Sequence, residues 1–289
     1  MSVWGRTKNL GRMLLSAVKG WIAHRATSRG AALAFYTLLS MAPLLVLVTA
    51  VAGQFLGPQA AEGVLYVQLE RLVGPAGAVG IQTLLAGTQV PGSGRLASAF
   101  AAVVLVFAST SVFVELKDSL DEIWQTPETA PAGLVVVLRG RVVSFGLILF
   151  LAFLLITSLA INGALGILGR ALENRWLGSL PLLATLSSLF GFLVLMGLFA
   201  VIYKMLPEVK LSWKDAAVGA LSTALLFSLG KYFVGLYLLK AAVSSTYGAT
   251  GAVAALMIWV YYSAQIFFLG AEITREYALT FGSLRLDKE

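Results

Sequence analysis

Three polar side chains lie within long apolar runs of the sequence, where they could form part of a transport path. Lys231 follows TALLFSLG and can face an internal cavity and bind an anionic group, or extend its amine to the edge of the apolar region in a structural role. Glu272 has Arg275 and Glu276 within one turn, so it can line the same path or belong to the charge pattern of a helix end. Gln265 can line the path or hydrogen-bond a neighbouring helix.

A second group of polar residues occurs in the stretch RGAALAFYTLLSMAPLLVLV. Tyr36, Thr37 and Ser40 lie on neighbouring turns of a helix, and Pro43 leaves the carbonyl of Leu39 without its helical donor. A freed carbonyl in an apolar medium needs another partner, so this face should look into a helix bundle. Two interpretations follow, a kinked packing seam or a hinge beside a polar cavity.

The residue types needed for enzymatic chemistry are scarce. The chain has one histidine, His24, in a basic setting, and no cysteine, which excludes most zinc sites. The acidic residues Glu115, Asp118, Asp121 and Glu122 have the spacing of a solvated helix face, and no phosphate-binding glycine loop occurs. The sequence therefore predicts a protein that is not an enzyme and that holds no metal or cofactor.

Composition identifies the medium in which these residues lie. Hydrophobic residues make up 58% of the 289 and charged residues only 12%, too little polar surface for a water-soluble globule of this size. Long apolar runs without alternation predict an all-α membrane bundle with six transmembrane helices. The predicted spans are 31–53, 96–114, 142–164, 181–203, 216–239 and 249–273. Residues 54–94 predict short outer-face helices or a re-entrant element.

The basic residues indicate an orientation. With the N-terminus inside, 15 lysines and arginines fall in cytoplasmic segments and five on the opposite face, and Lys231 lies within a span. This asymmetry predicts a multi-pass protein of the bacterial cytoplasmic membrane with both termini in the cytoplasm. The predicted organisation is a basic amphipathic helix at 1–30, a membrane domain at 31–277 and a tail at 278–289.

The first thirty residues have the pattern of a helix lying in a membrane surface. Their apolar stripe consists of Leu10, Met13, Leu14, Ala17, Val18, Trp21 and Ile22. Arg12 and Lys19 lie on the other sides, which favours binding to the anionic inner leaflet rather than to nucleic acid.

The connection KMLPEVKLSWKDAA predicts a tight cytoplasmic hairpin. Pro207 should end the incoming helix, and Ser212 followed by Asp215 has the spacing of a helix N-terminal cap. Trp213, like Trp21, is placed to anchor the protein at the membrane interface.

Four segments in their order and spacing resemble the YihY/BrkB family of bacterial inner-membrane proteins. They are RGAALAFYTLLSMAPLLVLV, SVFVELKDSLDEIW, YKMLPEVKLSWKDAAVGA and YGATGAVAALMIWVYYSAQIFFLGAEI, and the match runs from about residue 10 to residue 277. The resemblance implies a six-span inner-membrane protein, in a family with members described as virulence factors. The matching family residues are Ala34, Tyr36, Thr37, Ser40, Pro43, Tyr203, Leu206, Pro207, Trp213, Gly219, Tyr247, Gly248, Trp259, Gly270 and Glu272.

The family was once labelled ribonuclease BN, an activity that these residues do not favour. RNA hydrolysis generally uses histidines or clustered carboxylates with a metal ion. Two hypotheses remain, a transporter or flippase-like protein for an anionic, amphipathic lipid or lipid-linked envelope component, and a non-transporting scaffold for envelope assembly. Gly163, Gly166 and Gly169 offer a close-packing face that a homo-oligomer could use.

Overall fold

Helices account for nearly all of the chain that the computed structural model describes, which is residues 3–56, 103, 111–112, 114–125, 180–207, 209, 211–244 and 248–285. Within these ranges there are six helices and no strand, so the predicted all-α class is confirmed. The helices are α1 (Val3–Ala23), α2 (Ala26–Leu56), α3 (residues 114–124), α4 (Leu180–Met205), α5 (Trp213–Ser244) and α6 (Gly248–Thr280).

Two of the described helices are long and apolar enough to cross a membrane. The segments are Ser188–Met205 in α4 and Leu256–Thr280 in α6, with mean hydropathies of 2.0 and 1.4. At 1.5 Å per residue, the 26 residues of α4 extend about 39 Å, more than the ~30 Å hydrocarbon core. The predicted spans 31–53 and 216–239 fall within α2 and α5, whereas 142–164 and nearly all of 96–114, like most of the outer loop 54–94, lie outside the described residues.

A sharp turn separates α1 from α2. Arg25 has a φ of 51°, a left-handed conformation that stops α1 after Ala23. Its carbonyl then accepts a 3.1 Å bond from Arg29 N in the first turn of α2. The helix of the first predicted span therefore begins at Ala26, ahead of the span start at residue 31.

Cα packing divides the chain into two compact units that interleave along the sequence. The first contains Met1–Gly20, Leu120–Leu225 and Gly270–Glu289, and the second contains Trp21–Ser119 and Leu226–Leu269. Helices α1, α3, α5 and α6 each contribute residues to both units. In the first unit Leu120, Ile123 and Trp124 of α3 are buried, whereas Glu122 on the same helix is exposed.

The N-terminus of α5 is capped by residues from two parts of the chain. The predicted cap at Ser212 is confirmed, because its Oγ accepts a 3.3 Å bond from Lys214 N. Asp215, 3% exposed, accepts bonds at Oδ2 from the backbone N and the hydroxyl of Ser283, at 2.9 and 2.6 Å. The Ser283 hydroxyl in turn accepts a 3.2 Å bond from Ser212 N. In a usual capping box the side chain at the Asp215 position bonds directly to the backbone N–H of the capping serine. Here the Ser283 hydroxyl lies between the two and bonds to both Ser212 N and Asp215 Oδ2.

This arrangement predicts that Asp215→Ala loosens the C-terminal end of α6. The substitution removes two bonds to a carboxylate that is almost fully buried, so we expect a loss of about 2 kcal/mol of stability. Trypsin cleavage at Arg285, followed over time in detergent, should become faster than in the unsubstituted protein. Ser222→Ala is the control, because the Ser222 hydroxyl donates a 3.0 Å bond to Val218 O within its own helix. Equal cleavage rates in both variants would contradict this role.

Candidate functional site

Helices α5 and α6 meet in the first unit through a reciprocal pair of glycines and threonines. Gly219 of α5 lies against Thr274 of α6, and Gly270 of α6 lies against Thr223 of α5. A Cβ on Gly219 would overlap the Thr274 hydroxyl and stand 2.6 Å from its Cβ. Both helices therefore carry a Gly-x-x-x-Thr sequence, and the two sequences run in opposite directions along the contact. We call these four residues the Gly–Thr seam.

The hydroxyls of the Gly–Thr seam are satisfied without water. Thr223 Oγ1 bonds to Gly219 O at 2.8 Å, and Thr274 Oγ1 bonds to Gly270 O at 2.6 Å. Tyr203 of α4 is fully buried, and its hydroxyl lies 2.9 Å from Thr223 Oγ1. Small residues and internal hydrogen bonds are the means by which helices associate in lipid, where the hydrophobic effect between helices is absent.

Glu272 is fully buried in α6 and contacts the end of α1. A Cβ on Gly20 would stand 2.6 Å from Glu272 Oε2 and 3.0 Å from Cδ, so a larger residue at this position of α1 would require the Glu272 carboxyl group to shift. Arg275 and Glu276, one turn further along α6, pair with each other at 3.0 Å. A carboxylate buried in an apolar helix is costly, which makes Glu272 the strongest candidate for a functional group in this unit.

In the second unit, Gln265 of α6 holds the elbow between α1 and α2. Its amide nitrogen donates to Ala26 O at 3.3 Å, and its backbone carbonyl accepts a 3.3 Å bond from Trp21 Nε1. Gly30 lies against the same amide, since a Cβ there would stand 3.1 Å from Gln265 Cδ. Gln265 therefore makes interhelical hydrogen bonds at this elbow. Trp21, predicted to anchor the protein at the interface, is half-buried here.

An ion pair joins α2 to α3 in the same unit. Arg29 Nη1 lies 3.9 Å from Glu115 Oε1 and donates a 3.3 Å bond to the buried Ser119 hydroxyl. Both charged side chains are about one-quarter exposed, so the pair contributes modestly to stability.

The predicted polar face of α2 is half-buried, and two of its hydroxyls bond to their own helix. Thr37 Oγ1 donates to Leu33 O at 2.7 Å, and Ser40 Oγ donates to Thr37 O at 2.9 Å. The helix continues through Pro43 to Leu56. Lys231 lies on an exposed face of α5 in this unit, and Trp213 at the start of the same helix is 57% exposed.

The six predicted path residues divide between the two units. Glu272 belongs to the first, and the others, Tyr36, Thr37, Ser40, Lys231 and Gln265, belong to the second. Sequence reasoning missed the Gly–Thr seam and the contact of Gly20 with Glu272. The available signal was the repeated Gly-x-x-x-Thr spacing, together with the presence of Gly219 and Gly270 among the family residues.

Known membrane proteins are similar to this chain. A UPF0761 membrane protein of Klebsiella pneumoniae is 29% identical over 187 residues, covering 64% of this chain and 61% of its own length. Those of Ralstonia nicotianae and Vibrio atlanticus are 26% and 28% identical, covering 83% and 84% of this chain and 53% and 74% of their own lengths. No solved structure matches the chain. The family described as virulence factor BrkB matches residues 17–288, and the chain therefore belongs to this family of membrane proteins.

Proposed function

We propose that this protein is a non-enzymatic transporter in the bacterial cytoplasmic membrane. Its cargo is an anionic, amphipathic envelope component, either a lipid or a lipid-linked intermediate. The observation that carries the proposal is the complete burial of the Glu272 carboxylate in α6, a helix apolar enough to span the membrane. Ionisable residues inside spans are rare, and they commonly mark the pathways of ions and substrates.

Two residues have separate roles in the proposal. Glu272 binds a coupling cation, which accompanies the cargo during transport. Lys231 attracts the anionic head group from the surrounding lipid, a role that its exposed position on α5 supports. The proposal keeps the six spans predicted from the apolar runs and the cytoplasmic termini predicted from the charge distribution.

A scaffold for envelope assembly is the second candidate function. It is favoured by the way in which the polar groups bond. Thr37 and Ser40 donate to carbonyls of their own helix, and Gln265 joins α6 to the α1–α2 elbow. In a scaffold these bonds only hold helices together, and no cargo moves.

Vesicle reconstitution distinguishes the two functions. Purified protein is incorporated into vesicles with a trace of fluorescent phosphatidylglycerol, and dithionite is added to reduce the label in the outer leaflet. Transport predicts that label from the inner leaflet also becomes reduced, faster than label on phosphatidylcholine. Protection of the inner-leaflet label equal to that in protein-free vesicles would contradict transport and favour the scaffold.

Replacement of Lys231 tests the proposed contact with an anionic head group. Native mass spectrometry of the unsubstituted protein should show bound phosphatidylglycerol after detergent removal, and Lys231→Leu should bind it about tenfold more weakly, the effect of losing one charged hydrogen bond. Lys214→Leu is the matched control. Lys214 is also an exposed lysine of α5, but it lies at the start of the helix, away from Lys231. Equal retention in both variants would exclude Lys231 from a lipid site.

A further inference from the structure

The apolar stripe of α1 is partly buried against the protein and partly exposed on its surface. Met13 and Ala17 are 5% and 0% exposed, and Gly20 on the same face lies against Glu272. In contrast, Leu10, Leu14, Val18 and Ile22 are 48%, 45%, 44% and 64% exposed. We call these four residues the outer row. Of the stripe that the sequence predicted to lie in lipid, the protein thus buries Met13 and Ala17 and half-buries Trp21, and it leaves the outer row exposed.

The outer row forms a continuous apolar strip. Its members are spaced four residues apart, so at about 100° per residue successive side chains shift by about 40° around the helix. The row extends about 18 Å along the axis at 1.5 Å per residue. Leu15, 56% exposed, widens the strip. An apolar strip of this length on the surface of a protein indicates a contact with lipid or with another protein.

The charge of α1 favours lipid over protein. The helix contains four basic residues, Arg6, Lys8, Arg12 and Lys19, and no acidic residue. Arg12 and Lys19 are exposed, and both lie to one side of the outer row on the helical circumference. Arg12 also donates a 2.6 Å bond to Asn9 on the preceding turn. Apolar and basic arcs that adjoin on one helix match the boundary between acyl chains and anionic head groups.

We propose that the outer row inserts into the acyl region of an anionic leaflet while Arg12 and Lys19 contact its phosphates. The adjoining face of α1, on the side of the outer row away from Arg12 and Lys19, carries Met13, Ala17 and Gly20 and packs on the protein. The helix is thus held between the leaflet and the protein, and it covers Glu272 from this position. The inference does not require transport, because a scaffold could be held to lipid in the same way.

The absence of cysteine allows a direct test. Leu14→Cys and Ser16→Cys place a single thiol at exposed positions about 200° apart on α1. Each purified variant is labelled with an environment-sensitive fluorophore and reconstituted in vesicles of phosphatidylcholine with or without phosphatidylglycerol. Quenching is measured with lipids spin-labelled on the acyl chain and with aqueous iodide.

The proposal predicts opposite results at the two positions. Acyl-chain spin labels should quench the fluorophore at residue 14 several-fold more than that at residue 16, and iodide should show the reverse preference. Quenching at residue 14 should be stronger with phosphatidylglycerol and should fall when Arg12→Gln and Lys19→Gln are added. Equal quenching at both positions, or no dependence on phosphatidylglycerol, would overturn the proposal. Lipid quenching that disappears as the protein-to-lipid ratio rises would also overturn it, since a second copy would then cover the row.

Discussion

Gly219→Ala should destabilise the protein by about 1–3 kcal/mol, although alanine is the better helix former. On an unobstructed helix the substitution favours folding by up to about 1 kcal/mol. At the Gly–Thr seam the new Cβ would overlap the Thr274 hydroxyl and lie 2.6 Å from Cβ and 3.0 Å from Cγ2. Rotation of the threonine cannot clear all three atoms, so α5 and α6 must separate, with the cost typical of an overpacked core.

Thermal unfolding in detergent measures this effect against a matched control. A Cβ on Gly197 of α4 would meet no atom within 4 Å, so Gly197→Ala should leave the melting temperature unchanged or raise it. Adding Thr274→Gly to Gly219→Ala moves the small residue across the seam and should recover part of the loss. A melting temperature for Gly219→Ala equal to that of Gly197→Ala would show that the helices do not pack through these residues.

Glu272→Gln should abolish most transport while the protein remains folded. Glutamine keeps the size of the side chain, fits against Gly20 and removes the charge from a buried position. Since glutamine keeps the size of this buried side chain and removes the cost of burying a charge, we expect no loss of thermal stability. We expect transport of the anionic label to fall about tenfold or more, equivalent to about 1.4 kcal/mol in the rate-limiting barrier.

Glu272→Ala and Gly20→Ala separate the charge from packing. Glu272→Ala removes the charge and also leaves a space, so it should slow transport and lower stability. Gly20→Ala retains the charge but places a Cβ 2.6 Å from Oε2, which should shift the Glu272 carboxyl group. Normal transport by Glu272→Gln would remove Glu272 from the mechanism whatever the other variants show.

Features that depend on residues close together in the sequence could be predicted from the sequence. Helix α4 ends at Met205, two residues before Pro207, and α5 begins at Trp213 behind the Ser212 cap, because proline and capping residues act locally. Apolar composition also predicted a membrane protein, because composition does not depend on contacts between distant residues. The resemblance to the YihY/BrkB family was confirmed by the family match over residues 17–288.

Features that depend on the register between distant helices could not be predicted. Asp215 was expected to complete a local cap with Ser212, but its donor is Ser283, 68 residues away. The apolar stripe of α1 gave no sign that Met13 would be buried while Leu14 remained exposed. Similarly, the Gly-x-x-x-Thr spacings of α5 and α6 indicate a helix contact only once the structure places Gly219 opposite Thr274. The transport role of the candidate path residues therefore remains a prediction.

The most direct test of transport is the rate at which labelled phosphatidylglycerol in the inner leaflet becomes accessible to dithionite. The measurement compares the unsubstituted protein, Glu272→Gln and Gly197→Ala at equal amounts of folded, reconstituted protein. We predict rapid exchange with the unsubstituted protein and Gly197→Ala, and exchange near the protein-free rate with Glu272→Gln. Exchange at the protein-free rate in all three samples would contradict the transport account.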